Sequence, residues 1–427
     1  MTAPRAFLER LYRIAVAAAH PAQCLKPHLP PPPERGKLVI LAAGKAAGSM
    51  TEVAERHYLE RMPADRLGGL AVTRHGYARP TRCIEMVEAG HPVPDAAGLA
   101  AAQRTLALAA AAQEGDLVLA LLSGGASANW IAPAQGISLT EKQAVTRALL
   151  RSGANIVEMN TVRKHLSRIK GGRLARAAEC ARLVTLAISD VPGDDPAVIG
   201  SGPTVPDPTT LADSRAIVAR YKLDLPASVQ SALNDPDNES PKPGDRAFAR
   251  SRLALVARPA DSFDAATQAI AQAGYECVFL GSDLEGEARQ VAREQAALAR
   301  KLQAEGRRAV LVSGGELTVT MRGNGRGGPN QEFALALAVA LDGSAGIAAL
   351  AGDTDGTDGG GGSADDPAGA FADSGTAARA RRAGLDPAAF LADNDSTGFF
   401  SALGDLLQTG PTCTNVNDFR AILVDGP

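Results

Sequence analysis

"KLVILAAGKAAGSMTEVAERHYLERM" spans residues 37–62. Its first part, LVILAA (38–43), is a short unbroken apolar run, the pattern of a strand buried on both faces. After Gly44-Lys45 the pattern turns helical. A buried strand that feeds a helix through a glycine turn is the repeating piece of a parallel sheet covered by helices. Lys45 stands where strand becomes helix, a place where backbone N–H groups and the helix dipole favour an anion. It is not a P-loop lysine, because Ala46 follows where a hydroxyl is needed and the upstream glycine is missing. Two readings remain: a phosphate-binding lysine, or a solvated one at a strand end.

The same pattern recurs on either side. "LGGLAVT" (67–73), "CIEMVEAG" (83–90), "DLVLALLSGG" (116–125) and "RLVTLAISD" (182–190) predict strands. "AAGLAAAQRTLALAAAA" (96–112) and "SLTEKQAVTRALLRSG" (138–153) predict helices, the second with Ser138 as N-cap and Glu141 at the capping-box position. The alternation predicts an α/β fold with a parallel sheet and helices on both faces. "NDPDNESPKPGDRAFARS" (234–251) is polar and proline-bearing and reads as an interdomain connection. Beyond it, "RLALVAR" (252–258), "ECVFLG" (276–281), "RAVLVSGGE" (308–316) and "LTVTMRG" (317–323) predict strands of a second α/β region. "SFDAATQAIAQAG" (262–274) and "EGEARQVAREQAALARKLQAEG" (285–306) predict its helices. In this reading "LVSGGELT" turns a hairpin.

Composition removes several function classes. A chain of 427 residues suggests about two to three domains. Net charge is −3 and aromatics are 4%, which excludes a nucleic-acid footprint and base-stacking platforms. The five cysteines are scattered and form no CxxC, so a zinc site and a disulfide framework are not expected, and a reducing, cytoplasmic compartment fits. The longest apolar runs fall well short of the roughly 18 residues of a membrane span, so no membrane partner is expected. "FLERLYRIAVAAAH" (7–20) reads as an amphipathic helix rather than a signal peptide. "KPHLPPPPERG" (26–36) reads as a stiff extended segment.

Several loops carry chemistry. "LLSGGASA" (121–128) ends a strand in Ser123, Gly124 and Gly125, with Ser127 adding a second hydroxyl; such glycines admit a ligand close to the backbone, or merely turn the chain. "SDVPGDDPAVIGSGPTVPDPTT" (189–210) is a long rigid loop after a strand, and it holds Asp190, Gly193, Asp194, Gly200, Ser201 and Gly202. Its carboxylates suit Mg²⁺ binding or general-base work, with a plain acidic loop as the alternative. "MNTVRKHLSRIKGGRLA" (159–175) predicts a basic helix in which Lys164 and Arg168 share a face, or else a charged solvated helix. The six histidines have no metal-ligand spacing, and His91 reads as part of a turn. Gly323, Gly325 and Gly328 formally spell GxGxxG, but Pro329 follows directly and no acid sits on a clear strand end about 20 residues later. Arg326, in that loop, suits a phosphate or carboxylate fork. "LAGDTDGTDGGGGSADDPAGAFAD" (350–373) offers Asp353, Asp355 and Asp358 for a cation, without EF-hand spacing, or is a flexible surface loop.

In order, "AAGKAAGSM", "AGHPVPD", "LLSGGASA", "MNTVRKHLSRIKGGRLA", "SDVPGDDPAVIGSGPT", "GRGGPNQEFAL", "GDTDGTDG" and "TGPTCTNVND" resemble the motifs of the class II glycerate kinases. This is the glycerate 2-kinase family with a carboxyl-terminal MOFRL domain, some of whose members carried the label hydroxypyruvate reductase. The resemblance covers nearly the whole chain. It implies a Rossmann-like domain over 1–245, a smaller α/β MOFRL domain over 246–427 whose last 20–30 residues or so pack back on the large domain, and an active site in the cleft between them.

It also implies ATP and D-glycerate as substrates, 2-phosphoglycerate as product and Mg²⁺ as metal, with a homodimer left open. Lys45 and Arg326 match the family's basic active-site residues, and Asp190 is the third catalytic candidate. Ser123, Gly124, Gly125, Ser127, Lys164, Gly193, Gly200, Ser201 and Gly202 are candidates for substrate or nucleotide binding. Gly325, Gly327, Asn330, Glu332, Asn415 and Asn417 are the later ones. Asp190, Asp194 and Asp355 are the metal candidates. Two departures stand out: Cys413 occupies a position where the family has glycine, and "GGGGSADD" after Asp358 is looser than the family's version. The rival activities are an NAD(P)H-dependent hydroxypyruvate reductase and a non-catalytic metabolite-binding protein.

Overall fold

Leu38–Ala43 forms β1, the first strand of a six-stranded sheet in a computed structural model that describes residues 3–360 and 363–425. Gly361 and Gly362, in the glycine run named above, lie outside the described residues. β2 (Leu67–Arg74), β3 (Ile84–Ala89), β4 (Leu117–Leu122), β5 (Arg182–Ile188) and β6 (Ser251–Ala257) complete the sheet in the order β3-β2-β1-β4-β5-β6. β1 to β5 pair in parallel. All six residues of β4 are buried, as its unbroken apolar run requires of a strand covered on both faces. Ser138 and Glu141 form the expected capping box, and Asn155 with Glu158 forms a second.

Three expectations for this region change. The basic helix over 159–175 stops at His165. Ser167 pairs with Pro133 in an isolated bridge, and Gly171 and Gly172 take φ +57° and +79° before a short helix over Arg173–Ala177. Tertiary pairing thus outweighs the local helical pattern. The polar segment 234–251 connects elements of one unit. Asn238 Nδ2 donates to His165 O (2.6 Å) and Ala232 O (2.9 Å), and the Asp207 N–H donates to Pro241 O (3.0 Å). β6, expected in the second region, closes the first sheet beside β5.

The chain forms two compact units, one over 24–256 and one made of 3–23 with 257–425. These divisions fall at 23/24 and 256/257 rather than at 245/246. The reason is visible in the amino-terminal helix, Ala3–Ala18. It buries Leu8, Leu11, Tyr12 and Ala15 with Phe263, Ile270, Leu350 and Phe419. Tyr12 Oη donates to Asp353 O (2.7 Å), and Ser262 Oγ donates to Ala15 O (2.7 Å). No helix among the described residues is long and apolar enough to cross a membrane.

The second unit is built on β7 (Glu276–Phe279), β9 (Arg308–Ser313), β11 (Ile347–Asp353), β12 (Gly369–Asp373), β13 (Leu406–Leu407) and β14 (Asp418–Asp425), ordered β13-β12-β11-β14-β9-β7. β14 lies between β11 and β9, antiparallel to both. The last described residues therefore complete this sheet from within. The expected hairpin at Gly314-Gly315 is absent: β10 (Leu317–Thr318) pairs in parallel with β8 (Gly286–Glu287). The buried Arg420 donates to the carbonyls of both glycines. Cys413 has φ +59°, the left-handed region that favours glycine.

At the start of the Pro329–Ala340 helix, Asp358 accepts from the backbone N–H of Asn330 (3.0 Å) and of Gln331 (2.8 Å). Burial pushes its carboxyl up to about 7; the Asn330 N–H pulls the other way, and the Asp418 carboxylate adds to the rise. The folded state then holds a proton that the unfolded chain releases above the ordinary aspartate value of 3.8. Stability from this group is complete below about pH 4 and is lost as pH rises through about 7. Relative to Asp358→Asn, the wild-type Tm should fall across that window, and a flat difference in paired melts would contradict the buried proton. Leu11→Ala should cost the second unit about 2–5 kcal/mol, read as an earlier thermal transition.

Candidate active site

The strand order reverses between β1 and β4. In open α/β sheets the crevice beyond the carboxyl ends of such a pair takes the ligand. The loops there are Gly44-Lys45-Ala46 and Ser123-Gly124-Gly125, and they are tied together. The Lys45 N–H donates to Gly124 O (2.8 Å), the Ala46 N–H to Ser123 Oγ (2.9 Å) and the Ser123 N–H to Ala43 O (3.1 Å). Gly44 has φ +119°, and a Cβ there would stand 2.3 Å from Ser123 Oγ. At Gly125 (φ +84°) a Cβ would meet His91 Nε2 at 3.1 Å and Lys45 Cγ at 3.3 Å. The side chains of Lys45 and His91 thus flank one glycine turn, and both residues are half-buried.

The loop after β5 leaves the sheet beside this turn. Gly200, Ser201 and Gly202 are all left-handed, at φ +58°, +64° and +60°. Holding the non-glycine Ser201 there costs about 1–2 kcal/mol, and it brings Ser201 Oγ within 3.0 Å of Ser127 Oγ. Ser127 Oγ also accepts from Arg163 Nη2 (3.0 Å) and from Lys170 Nζ. The Gly171 and Gly172 N–H groups donate to Ser201 O (3.0 Å) and Gly202 O (2.8 Å), which locks the Lys170 segment to the loop. Lys164, the residue singled out from the sequence, is instead buried in an ion pair with Asp207 Oδ1 (3.5 Å). Arg168 is exposed and donates to Pro133 O (3.0 Å). The two share no helix face, because the helix has ended at His165.

On this loop the Asp194 N–H donates to Val191 O (3.2 Å), with Gly193 at φ +74° and Asp194 at φ +55°. Asp194 Oδ1 is buried and accepts no hydrogen bond among the described residues. An orphaned carboxylate oxygen close in sequence to Asp190 fits a divalent cation that takes one or two protein carboxylates and fills its shell with substrate phosphates. Among the described residues no group of three His, Cys, Asp or Glu forms an all-protein metal cage.

The candidates of the second unit divide differently. Arg326 is 61% exposed at its side chain and is paired with Asp366. The neighbouring glycines are filled from within the unit: a Cβ at Gly325 would lie 2.4 Å from Asp395 Cβ, and one at Gly327 would lie 2.0 Å from Ser396 Oγ. They serve close packing of the loop and are not a bare cradle for a ligand. Asn330 and Glu332 are buried and structural. Asn330 Nδ2 donates to Asp418 Oδ1 (2.8 Å) and Asp358 Oδ1 (3.2 Å). Glu332 pairs with Arg289 and accepts from Asn394 Nδ2 (3.2 Å). Asp355 Oδ1 accepts from the Thr357 N–H (2.7 Å) and Oγ1 (2.9 Å), a local turn rather than an open ligand oxygen. Asn417 sits at φ +72° and accepts from the Asp418 N–H (2.9 Å), while Asn415 Oδ1 accepts from the Asn417 N–H (3.4 Å).

The sequence reading missed His91, Arg163 and Lys170 as site residues. His91 could have been found from "AGHPVPD", which follows β3 and so ends at the same edge of the sheet as the glycine turns. Arg163 and Lys170 had no such signal, because their convergence depends on a break in a pattern that reads as helix.

The chain matches the family described as Domain of unknown function (DUF4147) over residues 7–234 and the MOFRL family over 309–418. An Agrobacterium vitis protein that carries a provisional hydroxypyruvate reductase name is 49% identical over 426 residues, 98% of this chain and 94% of that protein. The D-glycerate 2-kinase of Thermotoga maritima is 38% identical over 409 residues, 95% of this chain and 94% of that protein. The crystal structure of a glycerate kinase from the same organism aligns with a TM-score of 0.87 at 36% identity, covering 99% of this chain and 100% of that one. Both domain matches occur in order along one chain, over a shared architecture, and the chain belongs to the class II glycerate kinase family.

Proposed function

We propose that this chain transfers the γ-phosphoryl group of ATP to the 2-hydroxyl of D-glycerate, giving ADP and 2-phosphoglycerate. The observation that carries the reading is the joined pair of loops at the switch point, where the Lys45 N–H meets Gly124 O beside the Gly125 turn. Phosphoryl transfer asks a protein mainly for positioning and charge stabilisation. Lys45 supplies a half-buried cation at a strand–helix junction, where it neutralises charge on the transferring group. Arg326 is the other basic candidate of the family motifs, and an arginine in contact with a transferring phosphoryl group contributes about 10³-fold or more.

Asp190 and Asp194 would hold Mg²⁺, which would supply charge neutralisation on the nucleotide phosphates. In this assignment Asp190 also accepts the proton of the 2-hydroxyl as it attacks. The five cysteines are free thiols, which suits a reducing cytoplasm.

The reductase name of the Agrobacterium relative implies a dinucleotide cradle. The glycines from 323 to 328 do not offer one, since the space beside their Cα atoms is taken by Asp393, Asp395, Ser396 and Asp358. The first strand–helix turn of the first sheet, Gly44–Gly48, carries a lysine instead of a GxGxxG fingerprint.

Purified protein should consume ATP in a glycerate-dependent coupled assay and should not oxidise NADH with hydroxypyruvate; the opposite result would overturn the reading. Lys45→Ala and Arg326→Ala should each lower kcat by about 10²–10⁴-fold with unchanged circular dichroism. Asp194→Asn should raise the Mg²⁺ concentration needed for half-maximal rate by about 10-fold or more. An unchanged Mg²⁺ titration would remove Asp194 from the metal set.

A further inference from the structure

Ser127 is the focus of a positive cluster without a counter-ion. Its Oγ accepts from Arg163 Nη2 (3.0 Å) and from Lys170 Nζ, and lies 3.0 Å from Ser201 Oγ. Its carbonyl accepts a further bond from Lys170 Nζ (2.6 Å). Lys142 stands behind them, spending its Nζ on Arg163 O (2.9 Å) and Leu166 O (2.7 Å). Lys170 is 1% and Lys142 3% exposed, yet among the described residues none of Lys142, Arg163 and Lys170 forms an ion pair with a carboxylate. The nearby acids are engaged elsewhere: Asp207 with Lys164, and Glu239 with His165 and Lys242. Burial accordingly pushes both lysines well down, and the Arg163 charge pushes the same way.

Cations gathered out of water without an anion are costly, and here the cost is compounded by the strained backbone at Ser201. The carbonyls bonded by Lys142 give that lysine a structural role, but they do not account for Arg163 and Lys170 converging on one hydroxyl. The cluster is also reachable, since Ser127 and Arg163 are only half-buried. Two residues before Ser127, Gly125 is the turn flanked by Lys45 and His91.

We propose that Arg163, Ser127, Lys170 and Ser201 form the subsite that holds the carboxylate of the hydroxy-acid acceptor. The assignment rests on the kinase reading above. A guanidinium fork with an adjacent hydroxyl matches a planar carboxylate, whereas the nucleotide phosphates fall to Lys45 and the Asp190–Asp194 loop. With the carboxylate held beside the Gly125 turn, the acceptor hydroxyl is presented towards Lys45. An acceptor without the acid group, such as glycerol, then lacks its anchor.

The test is steady-state kinetics of Arg163→Gln, Ser127→Ala and Ser201→Ala, with KM measured separately for D-glycerate and for ATP and folding checked by circular dichroism. KM for D-glycerate should rise about 10- to 100-fold in Arg163→Gln and less in the serine variants, while KM for ATP stays within about twofold. Calorimetric titration of D-glycerate into nucleotide-free protein should show the same ranking, and wild type should discriminate strongly against glycerol while Arg163→Gln loses much of that preference. A rise in KM for ATP alone would assign the cluster to a nucleotide phosphate and overturn the proposal. Unchanged constants in folded variants would make the cluster structural and also overturn it. Absence of glycerate-dependent turnover in wild type is a different failure, since it removes the kinase reading and the subsite with it. If Arg163→Gln does not fold, Arg163→Lys serves in its place, and it should still raise KM for D-glycerate because it loses the fork.

Discussion

The large unit depends on a close approach of backbone between two parallel strands whose connections leave in opposite directions. β1 and β4 must end level with each other, and the Lys45 N–H must reach Gly124 O at 2.8 Å. That approach tolerates no side chain at position 44, where any Cβ would press on Ser123 Oγ. Once the two ends are joined, the lysine has a defined place at the mouth of the sheet. In open α/β sheets the helices on the two faces diverge at such a point and leave a crevice there. The turn after β4, the long loop after β5 and the His91 turn after β3 all arrive at this edge because parallel strands place their carboxyl ends together.

Charge is distributed unevenly around that edge. The chain as a whole is nearly balanced at −3, but the large unit concentrates Lys142, Arg163 and Lys170 near Ser127 with their acids engaged elsewhere. Local imbalance of this kind is what a protein that handles anions needs, and it is invisible in net charge. The second unit does the reverse. Around the Pro329–Ala340 helix it buries Asp358 and Asp418 and satisfies them with Asn330, Gln331 and Arg420. Those groups support one another and hold the Arg326 loop against the segment from Asp393 to Ser396, with the Arg326 side chain exposed and paired with Asp366.

Strand identity and type were legible where the sequence runs apolar for six residues or so, as in LVILAA and LVLALL. The glycine loops at the strand ends were legible for the same reason, because a buried strand must turn where its apolar run stops. Less legible were the roles of glycines and amides inside loops. GxGxxG from 323 to 328 has the spelling of a nucleotide cradle, yet its glycines are required by protein packed against them. Asn330 and Glu332 look like ligand contacts in a polar motif, yet they face inward to Asp358, Asp418 and Arg289. Polarity in a sequence does not say which way a group points.

By itself the sequence determined the α/β class, the parallel order of events along the first sheet, the family, and the lysine at the first strand–helix turn. These follow from local periodicity and from short motifs whose order along the chain is informative. Only the tertiary structure decided that the amino-terminal helix belongs with residues beyond 256, that β6 closes the first sheet and β14 sits inside the second, and that Arg163 and Lys170 converge on Ser127. Each of these is a contact between distant residues, stabilised by burial and by hydrogen bonds that no local window contains. The side-chain constellation at the site is therefore a product of packing, even where the loops that carry it can be read directly.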